Sequence, residues 1–322
     1  MKTITVRNVN YALPLGIKLI NDYGVERPSR DGLTKEVPEP VTTVYLKPWE
    51  RVLFSPIRDA NPFFHFFESL WIFVGRQDVD WISEFNSQIH KYSDDGKIFH
   101  ASYGHRLFIH KGNQISKAIQ MLKDNSGSRR VVLQIWDSEI DLAVEKNDIP
   151  CNDLIFLKIR DNKLNMTVCC RSNDLVFGTY GANAVHFAFL QEYIASMIGV
   201  GIGPYTQISD SYHSYITRED WNRVQAVTSN NPYNYNGVSI HPLIDDPDSF
   251  NYDLCRFMGR DSKRIVYHNS FFPDVAELMR SAWRQHKKYK TGHEYLKQVI
   301  DTGERPNDWL LAGLQWMERR MT

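Results

Sequence analysis

Little in the chain points to a special environment. Lysine plus arginine and aspartate plus glutamate balance at 38 each, so the basic field of a general nucleic-acid binder is missing and no DNA partner is expected. A local arginine cluster is all that a small anionic ligand would need. No apolar run approaches the length that spans a bilayer. Lys2 leads into polar Arg7-Asn8-Val9-Asn10, not into the apolar core of a signal peptide. The four cysteines, Cys151, Cys169, Cys170 and Cys255, form no CxxC pair. That pattern argues against a disulfide framework and a structural metal, and it places the protein in a reducing cytoplasm away from membranes. Internal repeats, low-complexity tracts and linkers rich in Pro, Gly or Ser are also missing. The 322 residues, 42% hydrophobic and 24% charged, read as one globular domain over 1–322 with a full core.

What is there mixes strands and helices, an α/β (α+β) pattern. Residues 3–20 begin as a strand and pass into a short helix, and Gly24 to Thr34 reads as a polar loop carrying Arg27 and Arg30. PVTTVYL and ERVLFSPI, within 40–57, alternate as strands do. Asn61-Pro62 predicts a helix start, an Asn cap followed by proline in the first turn, and Gly75 a stop. This helix is apolar nearly all round and should be buried. An amphipathic helix is predicted over 78–92 and another helix over 114–123, then a DNSGSRR turn and a strand over 131–137. LIFLKIR-DNK-LNMTVCC predicts a hairpin, continued by RSND, a glycine-marked turn and a long apolar helix from Ala182 to Gly199. PYTQISDSYHSY reads as a strand, TREDWNRVQAV as a helix and RIVYHNS as a strand. Helices are expected over 274–290 and 293–300 and in the tail NDWLLAGLQWMERR, whereas 241–262 has no readable period.

Three features bear on chemistry. Glu68 sits inside the apolar helix, where a carboxylate is expensive unless an ion pair with a core arginine, or a general acid/base role, accounts for it. Cys151 follows a proline at the mouth of the hairpin, and nearby arginines would lower the pKa of a nucleophilic thiol. Arg30, Arg129, Arg130 and Arg171, with Ser172, together suggest a phosphate ligand. A thiolate beside a phosphorylated substrate points to addition to an electrophilic ring or carbonyl.

In chain order, Ser29-Arg30-Asp31-Gly32, Glu68-Ser69-Leu70-Trp71, Ala101-Ser102-Tyr103-Gly104, Ser128-Arg129-Arg130, Pro150-Cys151, Arg171-Ser172-Asn173-Asp174, Gly178 with Asn183, and Asp210 with His213-Ser214-Tyr215 form a series. Carrying these motifs over residues 29–215, the chain resembles the thymidylate synthase family, which includes pyrimidine-nucleotide hydroxymethylases. The resemblance implies a large mixed β-sheet with surrounding helices and a homodimer joined sheet to sheet. It implies 5,10-methylenetetrahydrofolate as cosubstrate, a deoxypyrimidine monophosphate such as dUMP as substrate, and no metal. Cys151 would add to C6 of the pyrimidine, and Glu68 would order the waters that move protons, with Tyr103 and Asn152 grouped beside them as catalytic. Arg30, Arg171 and Ser172 would hold the 5′-phosphate, joined by Arg129 and Arg130 of the other subunit. His213 and Tyr215 would bind the sugar hydroxyl and Asn183 the base edge, while Asp174, Gly178 and Trp71 would face the folate.

The departures from the family pattern decide the product and base. Asn152 stands where the methylating enzymes usually carry histidine, one extra residue before Asn183 makes Ala182 its rival, and Ser211-Tyr212 is an insertion ahead of His213. The C-terminus reads MERRMT, not the short apolar tail that excludes water in ordinary thymidylate synthases. With water admitted, the expected reaction is hydroxymethylation of dUMP, ahead of methylation to dTMP and then of dCMP hydroxymethylation. An amide at 183 suits O4 and N3–H of uracil, whereas cytosine would want a carboxylate. A different class of reading is an inactive nucleotide- or RNA-binding homologue, against which Glu68, Cys151 and Asp174 together argue.

Overall fold

The computed structural model describes residues 1–227, 235–259, 266–303 and 305–321. Its centre is one mixed sheet of β1 (Lys2–Val6), β2 (Val25–Ser29), β3 (Gly32–Val37), β4 (Val41–Tyr45), β5 (Val131–Gln134), β6 (Asn152–Arg160), β7 (Lys163–Asp174) and β8 (Gly201–Tyr215). The order is β1-β4-β8-β7-β6-β5, with the β2–β3 hairpin joined to β8 through β3. β1/β4 and β7/β8 are parallel, and the remaining pairs are antiparallel. The mixed sheet expected from the resemblance is therefore present.

The β6–β7 hairpin forms as its sequence predicts. Asp161 and Asn162 take φ of 50° and 56°, the left-handed pair that a two-residue hairpin loop requires and that Asp and Asn tolerate. The parallel β7/β8 pair needs a crossover. It is made by a wide helical turn over Leu175–Ala182 followed by the helix Asn183–Ile198, which Gly199 ends at φ 87°. Asn183 is thus delivered to the end of β7.

The helices are α1 (Val9–Tyr23), α2 (Pro62–Phe73), α3 (Val79–Ser83), α4 (Tyr103–Phe108), α5 (Gln114–Asp124), α6 (Ser138–Asp141), α7 (Asn183–Ile198), α8 (Glu219–Val224), α9 (Pro247–Met258), α10 (Glu277–Tyr289), α11 (Gly292–Asp301) and α12 (Asp308–Glu318). Asn61 caps α2 by accepting the Phe64 N–H at 3.1 Å. α2 is buried on every side, in line with its unbroken apolar sequence. The C-terminal third closes over it: Phe66 stacks on Phe271 at 5.7 Å and meets Trp309 edge-on at 5.2 Å, while Phe63 contacts Trp283 and Trp316.

Several sequence expectations need correction. The Gly24–Thr34 segment is a β-hairpin in which every residue of β2 is exposed, so no burial pattern marked it. ERVLFSPI forms no strand. Its backbone groups are met by side chains instead, with the Val52 N–H donating to the Tyr235 hydroxyl at 2.8 Å and the Phe54 N–H to Asn10 Oδ1 at 2.9 Å. The 78–92 helix breaks into α3 and a short 3-10 turn over Ile89–Tyr92. The opening helix, α1, is longer than expected. RIVYHNS falls partly outside the described residues, and Val266–Ser270 form no strand. In 241–262 the unread stretch contains α9, capped by Asp246.

The sheet has two unlike faces. Ile155, Leu157, Met166, Val168, Cys170 and Tyr205 are buried on the helical side. On the opposite side Val132 and Phe156 are 48% and 40% exposed, and Leu154, Cys169, Thr206 and Ile208 are half-buried. Cys169 and Cys170 take opposite faces, as adjacent strand residues must.

Candidate active site

Cys151 lies just ahead of β6, where the neighbouring β7 fixes its backbone. The Arg171 N–H donates to the Cys151 carbonyl at 2.9 Å. The Arg171 guanidinium then turns back, its Nε donating to Pro150 O at 2.8 Å and its Nη2 to Ile149 O at 3.2 Å, and it lies 5.4 Å from the Trp136 ring. The arginine splints the approach to the cysteine and stays exposed. The expected lowering of the thiol pKa does not hold for the protein alone. Burial pushes the Cys151 thiol up, opposed by Arg171 and Arg30 and reinforced by Asp148 and Asp153. Removing water from a thiolate outweighs the guanidiniums at their present distance.

Behind Cys151 a chain of side-chain amides crosses the floor of the site. Asn152, fully buried, donates from Nδ2 to the Tyr103 hydroxyl at 2.9 Å and to Asn183 Oδ1 at 2.9 Å. Asn183 Nδ2 donates to Asn173 Oδ1 at 3.0 Å, and Asn173 Nδ2 to Ser209 Oγ at 2.9 Å. Each link fixes the next amide, so Asn183 is held with one face as acceptor and the other as donor. Gly178 must lack a side chain here, because a Cβ would stand 2.6 Å from Asn173 Oδ1. Asn183, not Ala182, enters this chain. Asn173 went unremarked in sequence except as a letter of the RSND motif; a buried amide on a strand end was its only signal.

The second wall comes from α2 and α7. Glu68 Oε2 lies 3.0 Å from His186 Nε2. Both atoms are shut off from solvent, yet they do not meet in hydrogen-bond geometry and have no aligned partner among the described residues. Of the two readings of Glu68, the ion pair with a core arginine finds no such pair among the described residues; His186 is its neighbour, and it was missed. Its signal was a lone imidazole in the apolar run ANAVHFAF. One turn beyond Glu68, Trp71 is buried edge-on to Phe99 at 6.1 Å, its indole N–H unpartnered among the described residues.

The third wall is the β7/β8 end, where Asp174 pairs in register with His213 and Ser172 with Ser211. Asp174 Oδ2 accepts the Phe177 N–H at 2.7 Å and so caps the wide turn. Burial pushes the Asp174 carboxyl up, opposed by that hydrogen bond, His213 and Arg218, while Asp220 adds to the rise. The His213 ring meets Tyr215 edge-on at 5.4 Å, and Arg218 lies 3.9 Å over the Tyr215 ring. Exposed Phe177 is flanked by Arg58 at 5.3 Å and Arg218 at 6.0 Å. Neither Phe177 nor Arg218 was singled out in sequence.

The arginines divide into two groups. Arg30, at the tip of the β2–β3 hairpin, reaches the Lys146 carbonyl at 3.4 Å and acts electrostatically on Cys151. Arg129 and Arg130 are exposed in the turn before β5. Because Val131 pairs with Leu157, they lie at the far end of β6, about 20 Å along the strand from Cys151. Among the described residues neither guanidinium has an ion pair.

The model of the thymidylate synthase family matches residues 17–263. A deoxyuridylate hydroxymethyltransferase of Pseudomonas phage M6 is 42% identical over 338 aligned positions, covering 99% of this chain and 95% of that protein. Deoxyuridylate hydroxymethyltransferases of Bacillus phage SP01 and Delftia phage PhiW-14 are 38% and 33% identical, over 56% and 51% of this chain and 50% and 48% of theirs.

Proposed function

Because the chain belongs to the thymidylate synthase family, we propose that it transfers a one-carbon unit to C5 of dUMP and releases 5-hydroxymethyl-dUMP. The near-full-length similarity to the Pseudomonas phage M6 deoxyuridylate hydroxymethyltransferase carries this reading. The family draws its carbon from 5,10-methylenetetrahydrofolate, which supplies an electrophilic methylene. This site suits such a cosubstrate. Asp174 offers a carboxylate to ring N–H groups, Phe177 an exposed aromatic face, and Arg218 a cationic flank for an anionic tail.

In the proposed cycle Cys151 attacks C6, which makes C5 nucleophilic and splits one hard step into easier ones. The phosphate dianion settles against Arg30, Arg171 and Ser172. His213 and Tyr215 hold the sugar. Asn183 reads uracil through an amide fixed by Asn152 and Asn173, with Oδ1 toward N3–H and Nδ2 toward O4. Glu68 moves protons at the base.

The reading includes a homodimer. The half-exposed outer sheet face with Val132 and Phe156 meets a second copy, and Arg129 and Arg130 serve the partner's phosphate, since they stand too far from their own Cys151. Among the described residues no helix is long and apolar enough to cross a membrane. The covalent step is checked with dUMP tritiated at C5 plus methylenetetrahydrofolate. Cys151→Ala drops tritium release to background; normal release would remove Cys151 as the nucleophile.

A further inference from the structure

A hydroxymethylase must do one thing that a methylating enzyme must avoid: deliver water to a carbon electrophile. Resting on the hydroxymethylation reading above, we propose that His186 is the positioning residue that holds Glu68 so that its carboxylate activates this water.

The geometry carries the assignment. Glu68 Oε2 and His186 Nε2 are both sealed from solvent and 3.0 Å apart, but unaligned, and neither has another hydrogen-bond partner among the described residues. A buried, desolvated pair of unpaired polar atoms in contact is costly, and a small rotation of the carboxylate or the ring closes the bond between them. The Glu68 side chain keeps 19% exposure. With Oε2 sealed, that exposure belongs to the rest of the side chain, which includes Oε1. An N–H from His186 on Oε2 therefore leaves Oε1 to accept a proton from a water in the cleft.

His186 is itself well fixed. It is the fourth residue of α7, between Val185 and Phe187, which are both buried in the core. The His65 ring meets it edge-on at 6.3 Å. Burial, His186 and Arg58 all hold the His65 pKa well below its usual range, so His65 adds no second charge beside the pair. Among the described residues Glu68 Oε2 accepts no hydrogen bond from any other side chain of α2 or α7.

The step balances without any oxidant or reductant. After the folate leaves, the Cys151-bound nucleotide carries a methylene double-bonded to C5. The water oxygen bonds to that methylene carbon as its proton passes to Glu68. The double-bond pair moves into the ring to form C5=C6, and the C6–S bond breaks with Cys151 leaving as thiolate. The product is the 5-hydroxymethyl nucleotide.

The test exploits competition for the methylene. Turnover of dUMP with methylenetetrahydrofolate in the presence of 2-mercaptoethanol partitions this electrophile between water and thiol, giving the hydroxymethyl product or a thioether. His186→Leu should raise the thioether-to-hydroxymethyl ratio about tenfold, a positioning effect smaller than the roughly hundredfold at the low end of a general base's own contribution. His186→Gln keeps an N–H donor and should return the ratio close to that of the unaltered protein. His186→Met serves as a second apolar replacement if the leucine variant does not fold. A ratio unchanged in the apolar variants, with both products falling together, would overturn the proposal, since a merely structural defect slows both. If the unaltered protein makes dTMP and dihydrofolate, the hydroxymethylation reading fails instead, and the two failures are distinguishable.

Discussion

At the scale of single residues, the site depends on amides that orient one another. In the proposed cycle, the face that Asn183 turns to the base is set by Asn173 and Asn152, which each occupy part of its hydrogen-bond capacity. Asn173→Ala leaves that amide unpaired and free to turn, a loss of about 1–3 kcal/mol. It should lower kcat/KM for dUMP by tenfold or more and narrow the preference over dCMP, measured by competition between the two nucleotides. Asn183→Asp should move preference towards dCMP, because a carboxylate accepts from the exocyclic amine; an unchanged preference would take base reading away from this position. Much of this was legible in sequence. Cys151, Asn152, Asn183 and Asp174 sit in short motifs, and the structure brings them to one strand end. His186 and Asn173 were not legible, because a lone polar residue in a buried segment reads the same whether it is satisfied by packing partners or aimed at a site.

At the scale of elements, sequence was readable wherever burial imposed a period. α2, α5, α12 and the β6–β7 hairpin follow their patterns closely. It failed where the period was missing or misleading. β2 is exposed throughout, and the ERVLFSPI segment is buried yet draws its hydrogen bonds from Tyr235 and Asn10 in place of a ladder. The junction between that segment and α12 makes a pH prediction. Asp308, buried at the start of α12, has its carboxyl pushed up to about 7 by burial, opposed chiefly by Arg51. Its pKa when folded exceeds its unfolded value, so folding takes up a proton between them. The stabilisation is present at low pH and is lost as pH rises towards about 7. The slope is roughly 1 kcal/mol per pH unit within that window. Asp308→Asn should flatten this part of the pH dependence in thermal melts, and an unchanged slope would assign it elsewhere.

At the scale of the whole molecule, a single hydrophobic core runs from Ile4 to Met317. The C-terminal third, whose last helices were legible in sequence but whose role was not, provides the layer that buries α2 and so fixes Glu68. The outer sheet face and the remote Arg129–Arg130 pair argue for a site completed by two copies. Phe156→Asp should give a monomer by light scattering with tritium release lost. Mixing Cys151→Ala with an Arg129→Ala/Arg130→Ala double variant should restore part of the activity, because one site in the mixed dimer keeps both its cysteine and its partner's arginines. A monomeric unaltered protein with full activity would remove this role. The fate of the carbon unit identifies the reaction. With dUMP and methylenetetrahydrofolate, hydroxymethylation gives 5-hydroxymethyl-dUMP and tetrahydrofolate in equal amounts with no dihydrofolate formed, while dTMP accompanied by equimolar dihydrofolate would contradict it.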